Sequence, residues 1–122
     1  LLASCIFRND GKGNFRKEEL PRIAQTSAIF DFGVADFSGD GLTDVLVVGN
    51  HYDISTQLGR LDAFQGLLLQ GDSRGGFRWD PRMDPHIPGA GRCVEPIEIE
   101  GKKTWIIGRN NDTPLLLSQT HE

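Results

Sequence analysis

Cysteine is scarce in this chain: Cys5 and Cys93 are its only two. Two cysteines cannot define a disulfide framework, and neither has the spacing of a metal ligand. Buried free thiols are the expected state, with a Cys5–Cys93 bridge as the alternative. No apolar run approaches the roughly 20 residues that span a membrane. The opening Leu1-Leu2-Ala3-Ser4-Cys5-Ile6-Phe7 lacks a basic start and a cleavage site, so it does not read as a secretory signal. A first residue that is Leu rather than Met suggests a segment of a longer or processed precursor.

Positive charge is in deficit. Thirteen Lys and Arg stand against 17 Asp and Glu, for a net charge of −4. Nucleic acid demands a basic face to displace counterions, so that partner class is excluded. Catalytic signatures are missing too. Asp31-Phe32-Gly33 matches a kinase triplet but lacks every companion motif. Gly89-Ala90-Gly91 begins a dinucleotide fingerprint, yet position 94 is Val and no helix follows. His51, His86 and His121 are too dispersed for a zinc site. The expectation is a chain that is not an enzyme.

Glycine and the turns it makes are what the sequence does have. Fifteen glycines and six prolines cluster between short apolar runs, the grammar of strands joined by tight turns. A length of 122 residues fits one domain. Asp44-Val45-Leu46-Val47-Val48-Gly49 is the strongest strand signal, being β-branched and bounded by glycine. Gly66 to Gln70, Gly76 to Asp80, Thr104 to Gly108 and Leu115 to Leu117 follow it. Val94 to Glu100 alternates as a half-buried strand, and Pro96 within it favours an edge or a bulge. Pro21 to Phe30 reads as an extended connection. Leu61 to Leu69 is open to a short-helix reading that Gly66 weakens. No helix has convincing caps and period, so the class is all-β.

An internal repeat is visible in two hairpins. R-N-D-G-K-G-N-F, starting at Arg8, and Q-G-D-S-R-G-G-F, starting at Gln70, align without gaps at a spacing of 62 residues. Each offers the Gly and Asp that a hairpin loop needs for positive φ.

Asp36-Phe37-Ser38-Gly39-Asp40-Gly41-Leu42-Thr43-Asp44 is the segment with chemistry. Calcium takes six to eight oxygens, and a tight loop supplies them from alternate positions. Side-chain oxygens fall at loop positions 1, 3, 5 and 9 (Asp36, Ser38, Asp40 and Asp44). Leu42, at position 7, would offer its backbone carbonyl, and Gly41 permits the sharp turn. Position 12 is Val47 rather than a bidentate Glu, and Asp44 runs into a strand. An EF-hand is therefore excluded, and a calcium loop embedded in β-structure is expected. Plain Asp/Gly turn residues are the competing reading. With three carboxylates and a neutral Ser38, the expected dissociation constant is about 10⁻⁴–10⁻³ M. Trp79, Trp105 and Tyr52 offer a sugar-stacking platform or, more in keeping with their size, core.

The stretch V-A-D-F-S-G-D-G-L-T-D-V-L-V-V-G-N resembles the FG-GAP/VCBS repeat, in which one strand leads through a calcium loop into the next. The two aligned hairpins resemble the connection between that repeat's third and fourth strands. Gly49-Asn50, Tyr52, Gly59-Arg60, Asp62-Ala63 and Gly66 resemble a long insertion found in a bacterial subgroup related to the ASPIC/UnbV proteins.

The resemblance implies a β-propeller built of four-stranded antiparallel blades, structural calcium, and an extracellular or cell-surface location. Its calcium positions fall on Asp36, Asp40 and Asp44, with Ser38 where Asp or Asn is usual. The later blade has Glu98-Ile99-Glu100-Gly101-Lys102-Lys103 in place of the loop and should bind no ion. The implied organisation is a single domain over 1–122: a hairpin at 1–19, a full blade at about 33–80 and a partial blade at about 93–119. That is a partial propeller, either a piece of a longer array or a unit that completes its sheets through neighbouring copies. The expected function is a non-catalytic, calcium-stabilised binding or assembly module, including a self-associating filament subunit. An accessory region of a secreted polysaccharide-acting enzyme is the alternative. The ligand, whether protein or carbohydrate, is not named by the residues.

Overall fold

A computed structural model describes residues 3–26, 28–49 and 66–118 of the chain. Over these residues the chain is all-β, with nine strands in three antiparallel sheets. Strands β1 (Cys5–Asn9) and β2 (Phe15–Glu19) form a two-stranded sheet. Strands β3 (Ile29–Ala35), β4 (Asp44–Gly49), β5 (Leu67–Gly71) and β6 (Phe77–Trp79) form a four-stranded meander in chain order. Strands β7 (Gly91–Ile99), β8 (Lys102–Arg109) and β9 (Leu115–Ser118) form a third sheet of three. This is the architecture of a partial propeller-like stack.

Two connections differ from the sequence reading. Pro21 to Phe30 is not extended throughout: a 3-10 turn occupies Arg22–Gln25 before β3 begins at Ile29. Its Ala24 is fully buried, so the turn serves as a plug between sheets. The helix option at 61–69 fails where it can be seen, because Leu67–Gly71 is strand β5 and pairs with β4. Residues 61–65 lie outside the described residues, as do Asn50, Tyr52, Gly59, Arg60, Asp62 and Ala63 of the expected insertion.

The two central strands of the middle sheet, β4 and β5, are buried on both faces, as their near-continuous apolar runs require. Leu46 and Val48 of β4 face the third sheet and join Ile87, Val94, Trp105 and Ile107 in one core cluster. Val47, with Leu67 and Leu69 of β5, faces the opposite way and packs around Ala24. The strand period of two thus sends alternate residues of β4 into separate cores.

The sheets also touch through backbone. Gly33 of β3 lies under Trp105, where a Cβ would come within 2.6 Å of the indole. The Asp31 carboxylate crosses to the third sheet and accepts the Val94 N–H at 2.8 Å. Pro96 sits on β7, the outermost strand of its sheet, where a residue that lacks an N–H is tolerated, and the pairing slips between Gly91 and Cys93.

The two aligned hairpins fold alike. In the first, Asp10 Oδ1 accepts the N–H groups of Lys12 and Asn14. In the second, Asp72 Oδ1 accepts those of Arg74 and Gly76. The backbone closures match as well, Asp10 to Asn14 and Asp72 to Gly76, each at 3.0 Å. Gly13 and Gly75 occupy the same positive-φ place, at 88° and 79°. The repeat legible in the sequence is therefore a structural one, with β1–β2 the counterpart of β5–β6.

Both cysteines are free thiols. Contrary to the expectation of burial, Cys93 is exposed, because the strand period turns it away from the core side that Val94 fills.

Candidate metal centre

The loop from Asp36 to Thr43 joins β3 to β4, and its shape comes from side chains bonding its own backbone. Asp36, just past the end of β3, takes the loop's N–H groups: Oδ1 accepts from Gly39 at 2.8 Å and Asp40 at 3.2 Å, and Oδ2 accepts from Gly41 at 2.8 Å. The Ser38 hydroxyl adds a long contact of 3.4 Å to Oδ1. The bond from Gly41 is the main reason that the Asp36 carboxyl sits below its ordinary value of 3.8. Burial opposes this, and Gly39, Asp40 and Ser38 assist. Gly39 and Gly41 both have positive φ, 80° and 85°, which an L side chain would strain.

Asp44 anchors the far end of the loop. It is the first residue of β4 and is fully buried. Its Oδ2 accepts the Ser38 N–H at 2.8 Å, and its Oδ1 accepts the Gly71 N–H of β5 at 3.0 Å. One carboxylate thus ties loop, β4 and β5 together. A Cβ at Gly71 would collide with the Thr43 carbonyl, so only glycine fits beside this anchor.

Asp40 lies exposed at the loop's tip, with Oδ1 accepting the Leu42 N–H at 2.9 Å. The three carboxylates converge: one oxygen from each of Asp36, Asp40 and Asp44 lies within 4.8 Å of the other two. Among the described residues, neither Asp40 nor Asp44 is in an ion pair.

Like charges held so close repel, and a cation between them reverses the sign of that interaction. The donor set suits a hard divalent ion, being oxygen throughout. Each carboxylate oxygen has two lone pairs. Asp44 uses one on each oxygen for Ser38 and Gly71 and keeps one on each. The residues present therefore fit a calcium ion. Ser38 stands inside the loop, with its hydroxyl near Asp36 and its N–H on Asp44. Leu42 follows Gly41 with its side chain outward, at the edge of exposure.

Other sequence candidates separate under the fold. Trp105 is core, and tilts against Phe37 at 5.2 Å. Trp79 is partly exposed and donates its indole N–H to Asp84 Oδ2 at 2.9 Å. Tyr52, His51 and His121 lie outside the described residues. Asp84 was not marked by any motif, yet it also accepts the Leu68 N–H at 3.0 Å and so pins β5. A lone Asp in a loop carries no pattern that would have revealed it.

Residues 3–47 match the family model described as an FG-GAP-like repeat. The matched stretch runs from the first hairpin through the Asp36–Asp44 loop into β4. No curated protein and no solved structure gives a significant match to the chain. The match supports the FG-GAP family and, with the all-β repeat architecture, a binding or structural repeat module.

Proposed function

We propose that this chain is a non-catalytic, extracellular or cell-surface repeat module for binding or assembly, stabilised by calcium at Asp36, Ser38, Asp40, Leu42 and Asp44. The convergence of three carboxylate oxygens within 4.8 Å is the observation that carries the reading. Asp36, Asp40 and Asp44 supply the charge, Ser38 a hydroxyl and Leu42 its carbonyl. The ion's part is to neutralise the cluster and cross-link the loop.

Because Asp44 is bonded to β5 as well as to the loop, an ion held there stiffens the β3–β4–β5 unit. One neutral ligand among three carboxylates sets the dissociation constant at about 10⁻⁴–10⁻³ M, the range of extracellular modules. Calcium at ten times that constant adds about 1.4 kcal/mol of stability, enough to hold the loop and too little to switch the fold. A bacterial subgroup related to the ASPIC/UnbV proteins is the one we favour, on the likeness of Gly49-Asn50, Tyr52, Gly59-Arg60, Asp62-Ala63 and Gly66 to its long insertion.

Calorimetric titration with calcium tests the site. The native chain should give saturable heat in the upper micromolar to millimolar range, and Asp40→Ala should give none. Absence of heat and of any thermal shift at millimolar calcium would sink the calcium reading.

A further inference from the structure

The dipeptide Asp-Gly occurs twice in the chain, at Asp10-Gly11 and Asp40-Gly41, each at the exposed tip of a connection between antiparallel strands. Such a pair is intrinsically reactive. Glycine has no Cβ to shield its nitrogen, so that nitrogen can close on the carboxyl carbon of the preceding aspartate and reroute the chain. The two glycines are alike in backbone, with φ of 80° at Gly11 and 85° at Gly41, and a Cβ at either would meet nothing within 4 Å. What differs is how each aspartate and each glycine nitrogen is held.

The Asp10 carboxylate accepts three hydrogen bonds. Oδ1 takes the N–H groups of Lys12 at 2.7 Å and Asn14 at 3.2 Å, and Oδ2 takes the Asn14 side-chain amide at 2.9 Å. These bonds, the Asn14 side chain's first, hold its carboxyl below the ordinary value of 3.8. Turning the carboxyl carbon toward Gly11 breaks all three. The Gly11 N–H itself donates to Asn9 Oδ1 at 2.9 Å, an amide oxygen that takes up no proton. Asp40 is held far less. Among the described residues its carboxylate accepts only the Leu42 N–H, at 2.9 Å. The Gly41 N–H, whose proton must leave, donates to Asp36 Oδ2 at 2.8 Å, within the reach required of a general base.

We infer that Asp40-Gly41 is a site of spontaneous isoaspartate formation, assisted by Asp36, and that the fold protects Asp10-Gly11 from the same reaction. The Asp40 carboxyl takes a proton from solvent, and the Gly41 nitrogen bonds to its Cγ. The proton on that nitrogen passes to Asp36 Oδ2 and on to the departing hydroxyl, which leaves as water. The product is a five-membered succinimide ring. Water then attacks the ring carbonyl that was the Asp40 backbone carbonyl and breaks its bond to the Gly41 nitrogen. The chain now runs through Cβ and Cγ, with no change in mass, oxidation state or charge. The backbone is one atom longer, and the Asp40 carboxylate hangs from Cα, which takes it out of the cluster with Asp36 and Asp44. The loop thereby carries a slow route to its own disarming. The inference does not rest on calcium, and every measurement below is made in chelator, so its failure and that of the calcium titration are separate results.

The test is to incubate the native chain for several weeks at physiological temperature and neutral pH. Isoaspartate is located by electron-transfer fragmentation of its peptides and counted with an isoaspartate-specific methyltransferase. Asp40 should convert about tenfold or more faster than Asp10, the effect of the two further hydrogen bonds that Asp10 must break. In guanidinium chloride, where neither set of bonds survives, the two rates should become alike. Asp36→Asn, which leaves Gly41 beside a group that takes up no proton, should slow Asp40 severalfold and leave Asp10 as it was. Circular dichroism checks that the variant keeps its strands. Conversion at Asp10 as fast as at Asp40, no conversion at Asp40, or a preference for Asp40 that persists undiminished in denaturant would each overturn the inference. An Asp36→Asn chain that keeps its strands and converts Asp40 at the native rate or faster would overturn the part given to Asp36.

Discussion

The β3–β4 connection and the β7–β8 connection occupy the same place in successive sheets and are built in opposite ways. The first spends eight residues, 36 to 43, and the second two, Glu100 and Gly101. The short turn works by backbone alone: φ is positive at both central residues, 51° and 75°, the signature of a tight hairpin turn that matches strand twist. Nothing in it gathers charge.

The long loop has too many backbone N–H groups for the strand ladder to satisfy, and its carboxylates accept them instead. Asp36 and Asp44 serve as internal scaffolding, and in doing so are drawn into a cluster with Asp40. The carboxylate cluster is thus a by-product of how a long loop settles its own polar groups. A repeat that shortens the loop loses the cluster without disturbing the sheet.

That contrast can be broken most sharply at Asp44. Asp44→Ala orphans the buried N–H of Gly71 and the part-buried N–H of Ser38. At about 1–3 kcal/mol for each orphaned donor, it should destabilise the chain by about 3 kcal/mol in urea unfolding, with or without calcium. Next in size are the glycines of the two connections. Gly41→Ala, at φ 85°, and Gly101→Ala, at φ 75°, should each cost about 1–2 kcal/mol in thermal unfolding. Conversely, Glu100→Gly should gain about 1 kcal/mol, because the native Glu sits at positive φ.

Acid provides a subtler distinction. The Asp36 carboxyl titrates below its unfolded value of 3.8, so its contribution is fully present above that pH and is lost as pH falls through the lower folded value. Melting points of Asp36→Asn should therefore fall less steeply than those of the native chain below about pH 4. Smallest of all, Asp40→Ala in chelator should shift stability by less than about 0.5 kcal/mol, since among the described residues the exposed side chain accepts only the Leu42 N–H.

Much of this was legible in the sequence, for identifiable reasons. Strand β4 announced itself as a β-branched run between Asp44 and Gly49, and the all-β class followed from glycine clusters and missing helix caps. The hairpin repeat was readable because the loop's hydrogen bonds fix an Asp and a Gly at set offsets, Asp10 and Gly13 against Asp72 and Gly75. The spacing of the Asp36–Asp44 loop gave the three carboxylates that the fold brings together.

What stayed hidden depends on tertiary placement. Asp31 and Asp84 read as ordinary loop or strand residues until the fold sets Val94, Leu68 and Trp79 beside them. The 3-10 turn at Arg22–Gln25 has no side-chain cap to mark its start, and burial of Ala24 between sheets is what specifies it. Nor did any local signal distinguish Trp105, a core residue over Gly33, from the half-exposed Trp79.

The central claim is that the β3–β4 loop holds calcium through Asp36, Asp40 and Asp44 while the β7–β8 turn does not. Thermal unfolding of the native chain and of Asp40→Ala across a calcium series tests it most directly. The account predicts a midpoint that rises with calcium in the native chain, by the equivalent of about 1.4 kcal/mol at ten times the dissociation constant, and stays flat in the variant. Equal rises in both, or no rise in either at millimolar calcium, would contradict it.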